Sequence, residues 1–257
     1  MRRTSRPAGA ATLEFVLIHS PLVGPATWAL VAQALAHRGA DVVVPDLRSA
    51  DQGLDDPPHW PRHARAVASA VEAALGKGPL VLVAHSGAGP LLPAVRLALG
   101  NPVAAYLFVD AGLPRGGLSR LELFEDSEAV RMFRASAKGG LLPPWTSEDL
   151  REAIPNERVR DRFVAELRPL ALSVYEEPLP VFEGWPDAPC GYIRFGANPA
   201  YDSPATQAEG AGWPVVRLPG EHFHMLVDPR GVADALVGLA ELVLRADARP
   251  GGGEPVS

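Results

Sequence analysis

The chain has 257 residues, 47% of them hydrophobic and 21% charged, with a formal net charge of −6. That apolar content is ample for a buried α/β core and excludes a disordered chain. The acidic balance has no basic cluster to oppose it, which argues against nucleic acid or an anionic membrane as partner and for a small, weakly polar substrate.

The opening stretch "MRRTSRPAGAATLEFVLIHS" carries basic residues, but its apolar run is only Phe15 to Ile18. That is too short for a secretory h-region, and no segment reaches the ~20 apolar residues of a membrane span. A soluble cytoplasmic protein is expected. Lys77 and Lys138 are its only lysines beside abundant arginine, alanine, proline and glycine, a usage that suits a GC-rich bacterial genome.

Four short apolar runs read as buried parallel strands: 15–18, 42–45, 80–84 and 105–110. Between them lie two helical stretches. One has apolar residues at 28, 31 and 35 and a stop at Gly39; the other opens on Pro61 and closes on Gly76. Alternation of this kind predicts a doubly wound, mostly parallel sheet. After Asp110 the rhythm breaks. Residues 113–185 show helical segments at 119–135, 147–153 and 156–168, with Ser147 and Asn156 as N-caps and no convincing strand, and read as an inserted cap. Strand signals return at 191–196 and 214–220, before a final helix from Gly231 to Ala246. Cys190, the single cysteine, excludes an intramolecular disulfide and a cysteine-rich metal site. The resulting division is a core of 11–112 and 186–246, a cap of 113–185, and flexible termini at 1–10 and 247–257.

Within "VLVAHSGAGPLL" the apolar strand stops at His85-Ser86-Gly87 and a helix follows. A serine on so sharp a turn needs small residues two before and two after it; here these are Ala84 and Ala88, where the usual pattern has glycines. The turn aims the Gly87 N–H and a helix N-terminus at whatever binds beside Ser86. Two rival readings exist. Gly87 and Gly89, with Asp110 about twenty residues on, fit a dinucleotide fingerprint, although Leu92 occupies its third glycine position and a strand-helix-strand unit already precedes it. Alternatively, Ser86 is only a helix N-cap. The elbow is favoured by His222, which lies between the last strand and the last helix, where a base would be needed. His224 is a competitor two residues on.

The chain resembles the α/β-hydrolase superfamily along nearly its whole length, and more narrowly the capped group that contains hydroxynitrile lyases and methylesterases. "FVLIHSPLVGPATW" is similar to that group's first strand and oxyanion loop, "VVVPDLRSAD" to its second strand and turn, and "FVDAGLP" to the start of its cap, with Trp28 matching too. The resemblance implies an α/β-hydrolase fold with a small helical cap inserted after the sixth strand of that fold, the one ending at Asp110. It also implies a Ser86-His222-acid triad. Asp202 follows the strand that bears the acid in most relatives, though a few residues late, and is preferred; Asp110 is the alternative.

The loop after the first strand departs from the group. Where a backbone N–H completes the oxyanion hole, this chain has Pro21, which has none. Loss of one such donor typically lowers the rate by ~10²–10³. Leu22 N–H or the Ser20 hydroxyl could replace it, and hydroxynitrile lyases resemble this chain in carrying a hydroxyl at the Ser20 position. Alternatively, Ser20-Pro21 merely shapes a turn. The expected activity is hydrolysis of a small ester, thioester or amide without cofactor or metal. Two alternatives stand beside it: a lyase or cyclase using Ser86 and His222 to shuttle a proton, and a binding protein with a degenerate elbow. Specificity is expected from cap residues such as Phe124, Met132, Phe133, Trp145 and Phe163.

Overall fold

The computed structural model describes residues 13–50, 56–124 and 126–247. The termini expected to be flexible lie outside this range, except for Asp247, which ends the last helix, and so do residues 11 and 12 of the expected core. In chain order the elements are β1 (Glu14–Ile18), α1 (Ala26–His37), β2 (Asp41–Val43), α2 (Trp60–Ala74), β3 (Leu80–Ser86), α3 (Leu92–Ala98) and β4 (Val103–Ala111). After these come α4 (Ser127–Ser136), β5 (Leu141–Leu142), α5 (Glu157–Val164), β6 (Leu170–Ala171) and α6 (Ser173–Glu176). The chain ends with β7 (Cys190–Phe195), α7 (Asp202–Gly210), β8 (Val215–Leu218), α8 (His224–Val227) and α9 (Pro229–Asp247).

Six strands form one parallel sheet in the order β2-β1-β3-β4-β7-β8. Successive side chains on a strand point to opposite faces, and here both faces are covered, so the strands read as unbroken apolar runs. Phe15, Leu17, Val81, Val83, Leu107 and Val109 pack with α1 and α9 on one face. Val16, Ile18, Leu82, Ala84, Tyr106 and Phe108 pack with α2, α3 and α7 on the other. Each fully buried side chain of this size stabilises by about 1.5–3 kcal/mol relative to exposure. The sheet is therefore a rigid platform, and the loops at its carboxyl edge are held in place by it, which is where open α/β sheets bind ligands.

The segment between β4 and β7 departs from its sequence reading in three places. The helix expected at 119–135 begins only at Ser127, where Asp126 accepts N–H bonds from Glu128 and Ala129 as its N-cap. Residues 147–153 form turns, and the Ser147 hydroxyl, expected as a cap, bonds the Arg160 guanidinium instead. The expected helix from 156 is present as α5, with Asn156 capping it through the Val159 N–H, but ends at Val164. A two-stranded antiparallel ribbon of β5 and β6 occurs where no strand was expected, because two-residue strands are too short to carry a periodic pattern. Leu121, Leu142, Leu170, Val174 and Tyr175 give the segment a small core of its own. It follows the fourth strand of this chain, which the resemblance numbered sixth. No described helix is long and apolar enough to cross a membrane.

Candidate active site

Ser86 is the last residue of β3 and has a φ of 56°. Such a left-handed backbone is rare outside glycine and is kept only where the surroundings impose it. The turn is closed by the Ala88 N–H to the His85 carbonyl at 3.0 Å, and both Ala84 and Ala88 are fully buried. The relaxed elbow therefore tolerates its two extra methyl groups. At Gly89 even one methyl would not fit, since a Cβ there would lie 2.1 Å from the Gly112 carbonyl oxygen. Helix-to-strand packing thus accounts for the glycine that suggested a phosphate loop. The N-cap reading of Ser86 also fails, because its Oγ bonds the Tyr201 hydroxyl at 3.0 Å and not a helix N–H.

On the neighbouring strand the register jumps: His85 pairs with Val109, but Ser86 pairs with Ala111. Asp110 is the residue passed over, in a bulge that re-aims its side chain, with φ at 41°. Its buried carboxylate accepts the Phe195 N–H at 2.8 Å through Oδ1 and meets His222 Nδ1 at 3.2 Å through Oδ2. The Asn198 side chain also bonds it, and the Arg194 guanidinium lies 3.5 Å away. Burial outweighs these favourable contacts and raises the Asp110 carboxyl to about 6.

His222 is packed against the rings of His85, Phe223 and Tyr201. Burial, reinforced by the Arg194 charge, lowers its imidazole to about 3, so it is neutral at physiological pH. With Nδ1 donating to Asp110, the Nε2 lone pair is available to take a proton. His224, the competitor, starts α8 and faces Phe195.

Asp202 does not reach His222, contrary to the preference drawn from the sequence. Its side chain is 70% exposed and is held by Arg194 at 2.7 Å. Arg194, itself buried on β7, holds that exposed carboxylate and keeps its own charge 3.5 Å from Asp110.

Ser20 and Pro21 are buried beside the elbow. Ser20 Oγ bonds the Tyr175 hydroxyl at 2.9 Å and accepts a long bond, 3.4 Å, from the Leu22 N–H. A Cβ at position 87 would lie 3.2 Å from Ser20 Oγ and 2.7 Å from the Tyr175 hydroxyl, so only glycine lets these groups close in on the elbow. Behind them the buried Arg120 donates to the Gly87 and Val174 carbonyls, both at 2.7 Å, and pairs with Glu177 at 3.6 Å.

A cavity of about 390 Å³ opens from Ser86 and Gly87. Its polar lining includes Tyr201, Ser203, Arg120 and Asp126, and its apolar lining Pro90, Leu123, Phe124 and Ala129. Of the aromatic and Met side chains expected to set specificity, Phe124 lines this cavity. Phe163 is core against Phe223, Phe133 packs on Tyr175, and Met132 and Trp145 are exposed. Tyr201, Tyr175 and Arg120 went unnoticed in the sequence. Tyr175 and Tyr201 stand in single helical turns too short to carry a periodic or motif signal, and only the fold brings them to the elbow.

The sequence model of the Alpha/beta hydrolase family matches residues 15–235. No curated protein matches the chain. Among solved structures, an extracellular alpha/beta-hydrolase from a Paenibacillus species is 19% identical with a TM-score of 0.70, covering 88% of this chain and 98% of its own. A methylesterase from Arabidopsis is 16% identical with a TM-score of 0.65, covering 90% and 100%. A pyrethroid hydrolase from Sphingobium faniae is 18% identical with a TM-score of 0.64, covering 90% and 98%. At these identities the likeness is one of fold.

Proposed function

The chain belongs to the alpha/beta hydrolase family, and on that premise we propose that it hydrolyses a small ester, thioester or amide with Ser86 as nucleophile, His222 as base and Asp110 as the orienting acid. The observation that carries this reading is the bond between His222 Nδ1 and the buried Asp110 carboxylate beside a serine held at positive φ. An imidazole fixed in that tautomer presents Nε2 as acceptor, and the carboxylate stabilises the imidazolium once it forms. Similar folds in proteins named as a methylesterase and a pyrethroid hydrolase support the same class of reaction.

In this mechanism Ser86 Oγ turns from Tyr201 to His222, gives its proton to Nε2 and attacks the substrate carbonyl carbon. The electron pair of the carbonyl moves to its oxygen, which the Gly87 N–H and the Ser20 hydroxyl receive. Collapse expels the alcohol, thiol or amine with the proton from His222. Water then repeats the sequence on the acyl-Ser86 ester, releasing the acid and restoring the site.

A second reading is a proton-shuttle lyase. It is favoured by Pro21, which lacks a backbone donor, and by the Ser20 hydroxyl held against Tyr175 at the same place. Labelling by a fluorophosphonate followed by mass mapping separates the two. Modification of Ser86 that depends on His222 is expected. An unlabelled, folded protein would remove the hydrolytic reading.

A further inference from the structure

Among the described residues the Tyr201 hydroxyl has one hydrogen bond, to Ser86 Oγ, and Tyr201 is 6% exposed. Its ring lies parallel to that of His222, 5.0 Å between centroids at an interplanar angle of 7°. Packed there, the phenol cannot follow Ser86 when Oγ turns to His222. Burial also raises its pKa, so it stays protonated and a donor. Once a substrate has filled the cavity and expelled water, this buried O–H has lost its partner, and an unmet buried donor disfavours the complex.

The hydrolytic reading, on which this inference rests, has no ester oxygen to spare for it. His222 protonates the leaving atom, while Gly87 and Ser20 receive the carbonyl oxygen. We propose that Tyr201 is a specificity-determining residue whose hydroxyl passes from Ser86 to a third substrate oxygen, so that the site selects acyl groups carrying a hydrogen-bond acceptor close to the scissile carbonyl. A site built to bond an oxygen rejects the analogue that lacks it, because its own polar group is then left unpaired. The apolar part of the lining, Pro90, Leu123, Phe124 and Ala129, favours hydrocarbon elsewhere on the same acyl group. The preferred acyl group is amphipathic: an ether, keto or hydroxyl oxygen toward Tyr201, alkyl carbon toward Leu123 and Phe124.

The test uses two esters of equal length on the full chain: p-nitrophenyl 3-methoxypropanoate and p-nitrophenyl pentanoate, which differ by an oxygen in place of a methylene. Each kcat/KM is divided by the ester's rate with hydroxide. The ether-to-alkyl ratio should fall about tenfold in Tyr201→Phe, which keeps the ring on His222 and removes only the donor. A ratio that Tyr201→Phe leaves unchanged would overturn the proposal. A second arm does not need turnover. In Ser86→Ala the phenol is already without its partner, so calorimetry should find methyl 3-methoxypropanoate favoured over methyl pentanoate relative to Ser86→Ala/Tyr201→Phe; equal selectivity in the two proteins would again overturn the role of Tyr201. Failure of both nitrophenyl esters to react, with the binding difference present, would count against hydrolysis and support Tyr201.

Discussion

Ser86, the last residue of β3, and Asp110, the last but one of the neighbouring β4, are the two non-glycine residues held at positive φ in the described chain, at 56° and 41°. The same register slip that leaves Asp110 unpaired brings its carboxylate under His222. The strain is thus confined to the residues that the proposed chemistry uses.

This strain can be measured at Ser86. Alanine normally stabilises a chain over glycine, but at a left-handed backbone the order reverses, by about 1 kcal/mol. Ser86→Gly should therefore melt above Ser86→Ala by about 2–4 °C, with both variants inactive. Equal Tm values would mean that the elbow relaxes without its serine.

The acid can be identified by comparing Asp110→Asn with Asp202→Asn. Asparagine keeps the shape but cannot stabilise imidazolium and favours the wrong tautomer, so Asp110→Asn should lower kcat by about 10⁴. Asp202→Asn keeps an amide oxygen that can accept from the buried Arg194 and leaves the Asp110–His222 contact in place, so its effect on kcat should stay under about tenfold. The reverse ranking would reassign the acid.

The pH profile follows from the same buried pair. Because burial raises the Asp110 carboxyl to about 6, the acid is protonated below that value and no longer supports imidazolium. His222, lowered to about 3, stays neutral across the same range and is not the source of the change. The rate kcat/KM should therefore rise with pH to a plateau above about 6, the apparent value belonging to the pair. A plateau already reached at the ordinary carboxylate range, with wild-type activity, would contradict it.

Ser20→Ala tests whether a hydroxyl has replaced the donor missing at Pro21. If Ser20 receives the oxyanion, kcat should fall by about 10²–10³ with KM little changed. A loss of less than about threefold would hand the role to the Leu22 N–H, which the substitution releases from its 3.4 Å bond to Ser20 Oγ.

The sheet, the elbow and His222 were legible because each depends on neighbours in sequence. Phe15 to Ile18 and Val81 to Ala84 are continuous apolar runs, and Ser86 with Ala84 and Ala88 is a local pattern. The carboxylate that meets His222 was not, because the choice between Asp110 and Asp202 turns on a bulge between two strands and on an arginine, Arg194, that captures the exposed carboxylate. Tyr201 and Tyr175 were invisible for the same reason: their hydroxyls meet Ser86 and Ser20 across 115 and 155 residues of chain. In the segment between β4 and β7, Asn156 capped a helix as read, whereas Ser147 found Arg160 instead.

Arg120 works as a mooring post. Its guanidinium ties the first turn after β4 to the Gly87 and Val174 carbonyls and to Glu177, which in turn accepts the His59 N–H at the head of α2. Pulling that root away would strand a buried cation, so the segment cannot swing from its base as one hinged lid. The α4 helix, whose Ala129 lines the cavity, has no buried residue of its own and rests on this moored segment through Phe133 on Tyr175 and Arg134 on Glu176, so any loosening at Arg120 would reach the cavity lining through it.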